Sequence, residues 1–422
     1  MSLARACALW LLLASCAIAS AQAQDASLGG SVEGLLEFAR GSNPEYAAMR
    51  HEADAAGERI TPAGALPDPR LRTEWMDITR QGEQNPSLLP SRAGSTKYTL
   101  MQDLPWYGKR DLKRQIAESE AEAAQGRARG SWAELAARIK SAHAELYYVD
   151  RNERLAREIL DLMGRLEKIA RARYGSGLAA QQDVIRAQVE QTGMASELIR
   201  LENEHHHLRT RINALLARSP GAALADPERL RPLPAPAKLD YAALEARVRE
   251  RNPQLFVEEA RIKSAEKSRD LAYRNRYPDF TFGVAPTQTQ SSFNDWGVMI
   301  EVNIPLQQGS RRAQERESEA MLAAALSRKE AAANQVLAEL AENLSAIDAP
   351  RRTETLTASS LLPQAELSFR SALAGYENGK VDFATLLEAQ KQIRLARQNE
   401  IKAQAEAQLR LAEIEKLLGE DL

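Results

Sequence analysis

The residues with the most obvious chemical potential are three consecutive histidines, His205-His206-His207. Imidazole is a common ligand for divalent metals. Consecutive residues on a helix point ~100° apart, however, so the three rings do not converge on one ion. His206 is at best one turn from Glu202, and His51 and His143 are isolated. No Ser/His/Asp spacing, phosphate loop or HExxH is present. The pattern therefore predicts no enzyme, no metal site and no cofactor. The only cysteines, Cys7 and Cys16, lie in the first 20 residues. Arg5 precedes an apolar run from Ala6 to Ala19, and Ala21-Gln22-Ala23 follows. A basic start, a short apolar core and an A-x-A site read as a secretory signal peptide over 1–23. Leu13-Ala14-Ser15-Cys16 also reads as a lipobox, which would make a lipidated Cys16 the first mature residue. Cleavage after Ala23 would leave no cysteine for disulfides, thiolate sites or catalysis.

The elements that remain must therefore do mechanical work. The 422 residues carry 56 Lys+Arg against 58 Asp+Glu, a net charge of -2. That balance excludes the broad basic surface of a nucleic-acid binder. Hydrophobic residues make up 44%, too many for a disordered chain, and aromatics only 5%. An Ala-rich, charged, aromatic-poor sequence predicts long helices with faces of alternating sign. No later stretch reaches the ~20 apolar residues of a transmembrane helix, so any membrane crossing must use strands.

The chain repeats itself once. Asn43-Pro44 matches Asn252-Pro253, and Pro67-Asp68 matches Pro278-Asp279. Leu104-Pro105-Trp106-Tyr107-Gly108-Lys109-Arg110 matches Ile304-Pro305-Leu306-Gln307-Gln308-Gly309-Ser310-Arg311. Tyr174-x-x-Gly177 matches Tyr376-x-x-Gly379, and each Tyr precedes an Ala-Gln pair by 13 residues. Ordered matches about 200 residues apart indicate a duplication. The halves are 24–218 and 240–422, joined by a Pro- and Ala-rich linker at 219–239. Each half predicts a moderate helix (32–64, 240–275) that includes the Asn-Pro pair. Two strands follow, separated by a polar loop (Thr79 to Thr96, Pro286 to Asp295). A very long helix (109–173, 310–375), a Tyr-x-x-Gly turn and a returning helix (181–217, 382–419) complete it.

Residues 109–173 contain no proline, and ~65 helical residues reach on the order of 100 Å. Leu135, Ile139, Ala142, Leu146 and Val149 step by 4 and 3, and Leu155, Ile159, Leu162, Leu166 and Ile169 resume the pattern. The returning helix has two heptad rows: Val184, Gln191, Leu198, His205, Ile212, and Ala187, Met194, Leu201, Leu208, Leu215. A hairpin this long needs neighbours along its length, which implies oligomerisation.

Apolar residues alternate at Leu71, Thr73, Trp75; at Tyr98, Leu100, Gln102, Leu104; at Phe280, Phe282, Val284; and from Trp296 through Val298, Ile300 and Val302 to Ile304. This suits either a soluble antiparallel sheet on a helix or strands of a transmembrane barrel. Four strands cannot close a barrel, and lipid-exposed edges are forbidden. Several chains would have to share one, and three would give twelve strands.

The doubled order of strand pair, long helix, Tyr-x-x-Gly turn and returning helix resembles the TolC-like outer-membrane efflux proteins. The strand-to-helix junctions around Pro105 and Gly108, and Pro305 and Gly309, resemble those of the same family. The resemblance covers nearly the whole mature chain. It implies a mainly α fold with a transmembrane β part: a homotrimeric, 12-stranded barrel in outer-membrane lipid, continued by a periplasmic α-barrel. It implies a passive exit duct without catalytic activity, working with a periplasmic adaptor and an inner-membrane transporter. The Pro-Trp-Tyr-Gly-Lys-Arg form and the compact length resemble members that serve heavy-metal cation exporters of the resistance-nodulation-division class. The resemblance also implies a gate at the periplasmic tip. There, Asp183 matches an aspartate that pairs with the tyrosine matching Tyr376, and Glu388 matches an acidic ring. Thr385 replaces another ring acid, and Val381 a basic link residue. Tyr174, Gly177, Leu178, Ala179, Gly379, Lys380 and Val381 would face the adaptor. Two readings compete. One is the adaptor itself, which typically has one hairpin between compact β domains. The other is a secreted coiled-coil scaffold, which has no need of a lipid-like strand face.

Overall fold

The structure, a computed structural model, describes residues 28–289 and 292–422. The signal segment, with Cys7 and Cys16, lies outside the described residues. The chain divides into two compact units.

One unit comprises Met49–Ala128 and Gln254–Ala333. Its centre is an antiparallel sheet in the order β1 (Arg70–Met76), β2 (Ser95–Leu104), β3 (Asp279–Thr289), β4 (Ser292–Asn303). The register aligns Leu71, Leu100, Val284 and Val298 in one row across all four strands. Gln102, Phe282 and Ile300 form a parallel row, as do Leu104, Phe280 and Val302. Because side chains alternate between faces, these rows make one apolar face. It is uncovered: Leu71 is 69% exposed and Val298 80%. The opposite face carries Arg70, Arg72, Asp103, Thr281 and Glu301, with Thr281 Oγ1 donating to Asp103 Oδ1 at 2.6 Å. The β2–β3 ladder jumps from Lys97↔Thr287 to Leu100↔Val284, where Pro286 has no N–H to give. The loop expected from Pro286 to Asp295 is mostly strand. Thr287 and Thr289 extend β3, and a register shift at Thr287/Gln288 absorbs the misfit.

The helices of this unit are the C-terminal part of α2 (Pro44–Glu58), α3 (Ile60–Gly64), the start of α4 (Lys109–Gly175), α7 (Pro253–Arg274) and the start of α8 (Gln308–Leu356). They approach through alanines. Ala53 and Ala56 pack on Ala121, Ala124 and Ala128, and Ala123 packs on Val257 and Ala260. Gly126 faces Val257 so closely that a Cβ there would lie 2.7 Å from its Cγ2.

The other unit comprises the described residues up to Ala48, Arg129–Pro253 and Asn334–Leu422. α1 (Val32–Ser42) packs Val32, Leu35 and Ala39 on Leu135, Ile139, Ala142 and Leu146 of α4 and on Leu208, Ile212 and Leu215 of α5 (Gln181–Leu215). The second repeat copies this with α6 (Tyr241–Arg251). Leu244 and Val248 meet Val336 and Leu340 of α8 and Leu411, Ile414 and Leu418 of α10 (Phe383–Leu418). Of the two predicted rows on α5, Ala187 to Leu215 is the buried seam. The Val184 row is half-buried except at Ile212.

The helices predicted across Asn43-Pro44 and Asn252-Pro253 are in fact broken there. A residue before proline is pushed out of the helical region, and Asn43 sits at ψ 118° and Asn252 at ψ 124°. Both amides then reach the end of a returning helix. Asn43 Nδ2 donates to the Leu215 carbonyl at 2.9 Å and Asn252 Nδ2 to that of Leu417 at 2.8 Å. The second long helix is also interrupted. It passes through Pro350 and a π-helical turn, Thr357–Leu361, into α9 (Leu362–Glu377). Pro363 cannot donate, and the wider turn, in which the Leu362 N–H bonds the Thr357 carbonyl, accommodates it. Among the described residues, no helix is long and apolar enough to cross a membrane.

Candidate functional site: the helical tip and the strand-helix junctions

At the tip, α4, α5, α9 and α10 share one core: Leu166 and Ala170, Ala187 and Met194, Ala372 and Tyr376, and Phe383, Leu386 and Ala389. Both turns close in the same way. Leu178 N donates to the Arg173 carbonyl at 2.8 Å and Gly177 N to that of Tyr174 at 3.0 Å. Lys380 N donates to Gly375 at 2.8 Å and Gly379 N to Tyr376 at 3.0 Å. This is the pairing of a helix stopped by a left-handed residue, and Gly177 (φ 73°) and Gly379 (φ 72°) supply it without a Cβ penalty. Val381 then folds back against Gly375, where a Cβ would be 2.6 Å from its Cγ2. Asp382 opens α10 by accepting from the Thr385 N–H at 2.9 Å. Its hydrogen bonds from Thr385 hold its carboxyl below the usual range.

The structure brings Asp183 and Tyr376 together: the Tyr376 hydroxyl donates to Asp183 Oδ2 at 3.2 Å. Tyr376 is almost fully buried. Burial, then the adjacent Asp183 charge, pushes its hydroxyl up to about 12. Phe383 tilts against the ring at 5.1 Å. The sequence reading missed Arg173. Its guanidinium lies 5.0 Å over the Tyr376 ring and donates to the carbonyls of Glu377 (2.5 Å) and Leu178 (3.2 Å), tying both turns together. A cation in the last helical turn was the available signal. Glu388 and Thr385 stay on the exposed side of α10, and Glu388 accepts from Gln392 at 2.7 Å. Tyr174, Leu178 and Lys380 are exposed, whereas Ala179 and Val381 are half-buried.

In the sheet-bearing unit, Pro105 follows β2 and Gly108 (φ 84°) turns the chain into α4. Asp279 Oδ1 accepts from Trp106 N and from Lys109 Nζ, both at 2.8 Å, and Lys109 Nζ also donates to the Tyr277 carbonyl at 2.9 Å. Trp106 stacks on Tyr277 at 5.1 Å. The Pro278-Asp279 copy of the repeated motif thus fastens the first repeat's junction. The second junction differs. Pro305 accepts from Gln308 Nε2 at 2.7 Å, but Gly309 is already inside α8 and is not left-handed.

His206 and His207 diverge, their rings 6.4 Å apart and tilted. His205 turns the other way, toward acidic groups distant in sequence. Its Nε2 lies 2.9 Å from Asp226 Oδ1, and Asp150 is close by. Sequence neighbours alone could not show this cluster.

Known proteins place these features. The family described as Outer membrane efflux protein matches residues 35–218 and 245–420. The cobalt-zinc-cadmium resistance protein CzcC of Cupriavidus metallidurans is 24% identical over 403 residues, covering 92% of this chain and 90% of that one. Among solved structures, the outer membrane protein VceC of Vibrio cholerae has a TM-score of 0.78 at 18% identity, covering 92% of this chain and 96% of its own. CusC has a TM-score of 0.79 at 16% identity, covering 92% of each chain. With the family matching both halves in the order in which they repeat, the chain belongs to the outer membrane efflux protein family, channels of the Gram-negative outer membrane with a periplasmic extension.

Proposed function

We propose that three copies of this chain form the exit duct of a tripartite pump for divalent heavy-metal cations. The observation that carries the shared barrel is the four-stranded sheet, and the number three follows the resemblance to the TolC-like proteins. It exposes a largely apolar face, interrupted on β2 by Gln102, and β1 and β4 are its edges. In lipid every backbone group needs a partner, so each edge must meet another copy's edge, and three sheets give a closed barrel of about twelve strands. The mature chain would begin after the 1–23 signal or at a lipidated Cys16. Residues 24–218 and 240–422 would act as two hairpin repeats joined by 219–239. The duct has no catalysis of its own, since transport through it is passive.

A periplasmic adaptor docks on the exposed tip, formed by Tyr174, Gly177, Leu178 and Ala179 with Gly379, Lys380 and Val381. An inner-membrane transporter of the resistance-nodulation-division class supplies the energy. Asp183–Tyr376, fixed by Arg173, is the contact that keeps the tip closed, and Glu388 and Thr385 flank the entrance. The cargo assignment draws on the resemblance to CzcC. Deleting the chromosomal copy in its native host tests it. Tolerance to cobalt, zinc or cadmium should fall and return with the plasmid-borne chain. Unchanged tolerance to all three, with loss of tolerance to organic drugs instead, would reassign the cargo and leave the duct intact.

A further inference from the structure

We propose that Asp150, His205 and Asp226 form a resident site for a first-row divalent transition-metal cation. Asp150 comes from α4 and His205 from α5, and Asp226 lies on the segment after the hairpin. One ligand atom from each lies within 4.8 Å of the others. Two carboxylates and an imidazole suit Zn²⁺ or Co²⁺, with bonds of about 2.0–2.2 Å and a position left for water. A simple His205–Asp226 ion pair explains their 2.9 Å contact, but it leaves one oxygen of Asp150 without a partner. That carboxylate is more than nine-tenths buried, and its Oδ2 has no hydrogen-bond partner. Buried acceptors are ordinarily paired, and a cation in the cluster would satisfy this one.

Two guanidiniums also face the cluster. Arg154 Nε is 3.1 Å from Asp150 Oδ1, and Arg209 Nη1 is 3.9 Å from Asp226 Oδ1. Both are on or near the surface and address the Oδ1 oxygens, so Asp150 Oδ2 remains open. The segment bearing Asp226 is already held in place. Ala225 N donates to the Leu28 carbonyl at 2.8 Å, Arg151 donates to that of Glu228 at 2.8 Å, and Arg209 donates to that of Leu224. A cation would complete this strap by joining both helices of the first hairpin to the connecting segment, independently of what the duct carries. The unfolded chain does not assemble the three ligands, so binding raises thermal stability.

The test uses the full-length protein in detergent, without a histidine tag, stripped with chelator and titrated with Co²⁺. The expected result is one Co²⁺ per chain, a visible absorption band and a higher unfolding temperature. His205→Gln and Asp226→Asn should each weaken binding by more than the ~10–100-fold that follows loss of a group merely hydrogen-bonded to a ligand. Asp226 lies on the half-exposed segment, so its variant serves if His205→Gln fails to fold. The double variant His206→Gln/His207→Gln should keep the band and the shift. No Co²⁺ bound by the stripped wild type would overturn the proposal. So would unchanged binding in both ligand variants, or loss of the band in the His206/His207 double variant.

Discussion

The Tyr376 hydroxyl donates to Asp183 Oδ2 across 193 residues of sequence, at 3.2 Å, beneath the guanidinium of Arg173. A hydrogen bond to a charged acceptor contributes about 1.5–3 kcal/mol, enough to shift the proposed gate between closed and open about tenfold or more. Tyr376→Phe with Asp183→Ala removes the bond but keeps the ring in its pocket with Phe383. Single-channel conductance in a planar bilayer should rise, and unchanged conductance would remove this contact from the gate.

Asn43 and Asn252 make the same bond in the two repeats, each to a carbonyl at the end of a returning helix. Asn43→Ala and Asn252→Ala each leave that buried carbonyl unpaired, at a cost of about 1–3 kcal/mol. Each should lower the thermal unfolding midpoint in detergent, and the double variant should lower it by nearly the sum, since the sites share no partner.

At the first junction the two partners are unequally buried: the Lys109 side chain is 6% exposed and that of Asp279 43%. Removing Asp279 strands a buried charge, whereas removing the ammonium leaves a carboxylate that water reaches. Asp279→Ala should therefore destabilise the protein more than Lys109→Met does. The reverse order in thermal unfolding would contradict the assigned burial.

His143 is buried, its Nε2 is unpaired, and burial lowers its pKa from 6.5 to about 4, against a raising contact from the Gly29 backbone. Between those values the unfolded chain binds more protons than the folded one. Stability is thus full above pH 6.5 and falls as the pH drops toward 4, by roughly 3 kcal/mol at ~1.4 kcal/mol per unit. His143→Leu should flatten the unfolding midpoint over that window. A wild-type midpoint already flat from pH 7 to 4 would contradict the assignment.

The seam of α5 was legible because burial imposes a period on sequence, and the strand faces because successive side chains alternate between the two sides of a sheet. Leu135 to Val149 and Ala187 to Leu215 are buried where their spacing placed them. The tip turns were legible because only glycine takes a left-handed conformation cheaply. The breaks at Asn43 and Asn252 were misread, since the apolar pattern continues past a proline that the backbone cannot follow. Arg173 was missed because its partners are two carbonyls and a ring, which leave no mark in local sequence. The His205 cluster was missed because its acids lie 55 and 21 residues away, one on another helix and one on the linker.

The trimeric duct is the central claim, and its most direct measurement is the mass of the detergent-extracted protein after separation of the membranes. Three chains per particle, recovered from the outer membrane, is the predicted result. A soluble monomer or dimer from the aqueous periplasm would mean that the apolar sheet face meets something other than lipid, and would contradict the shared barrel.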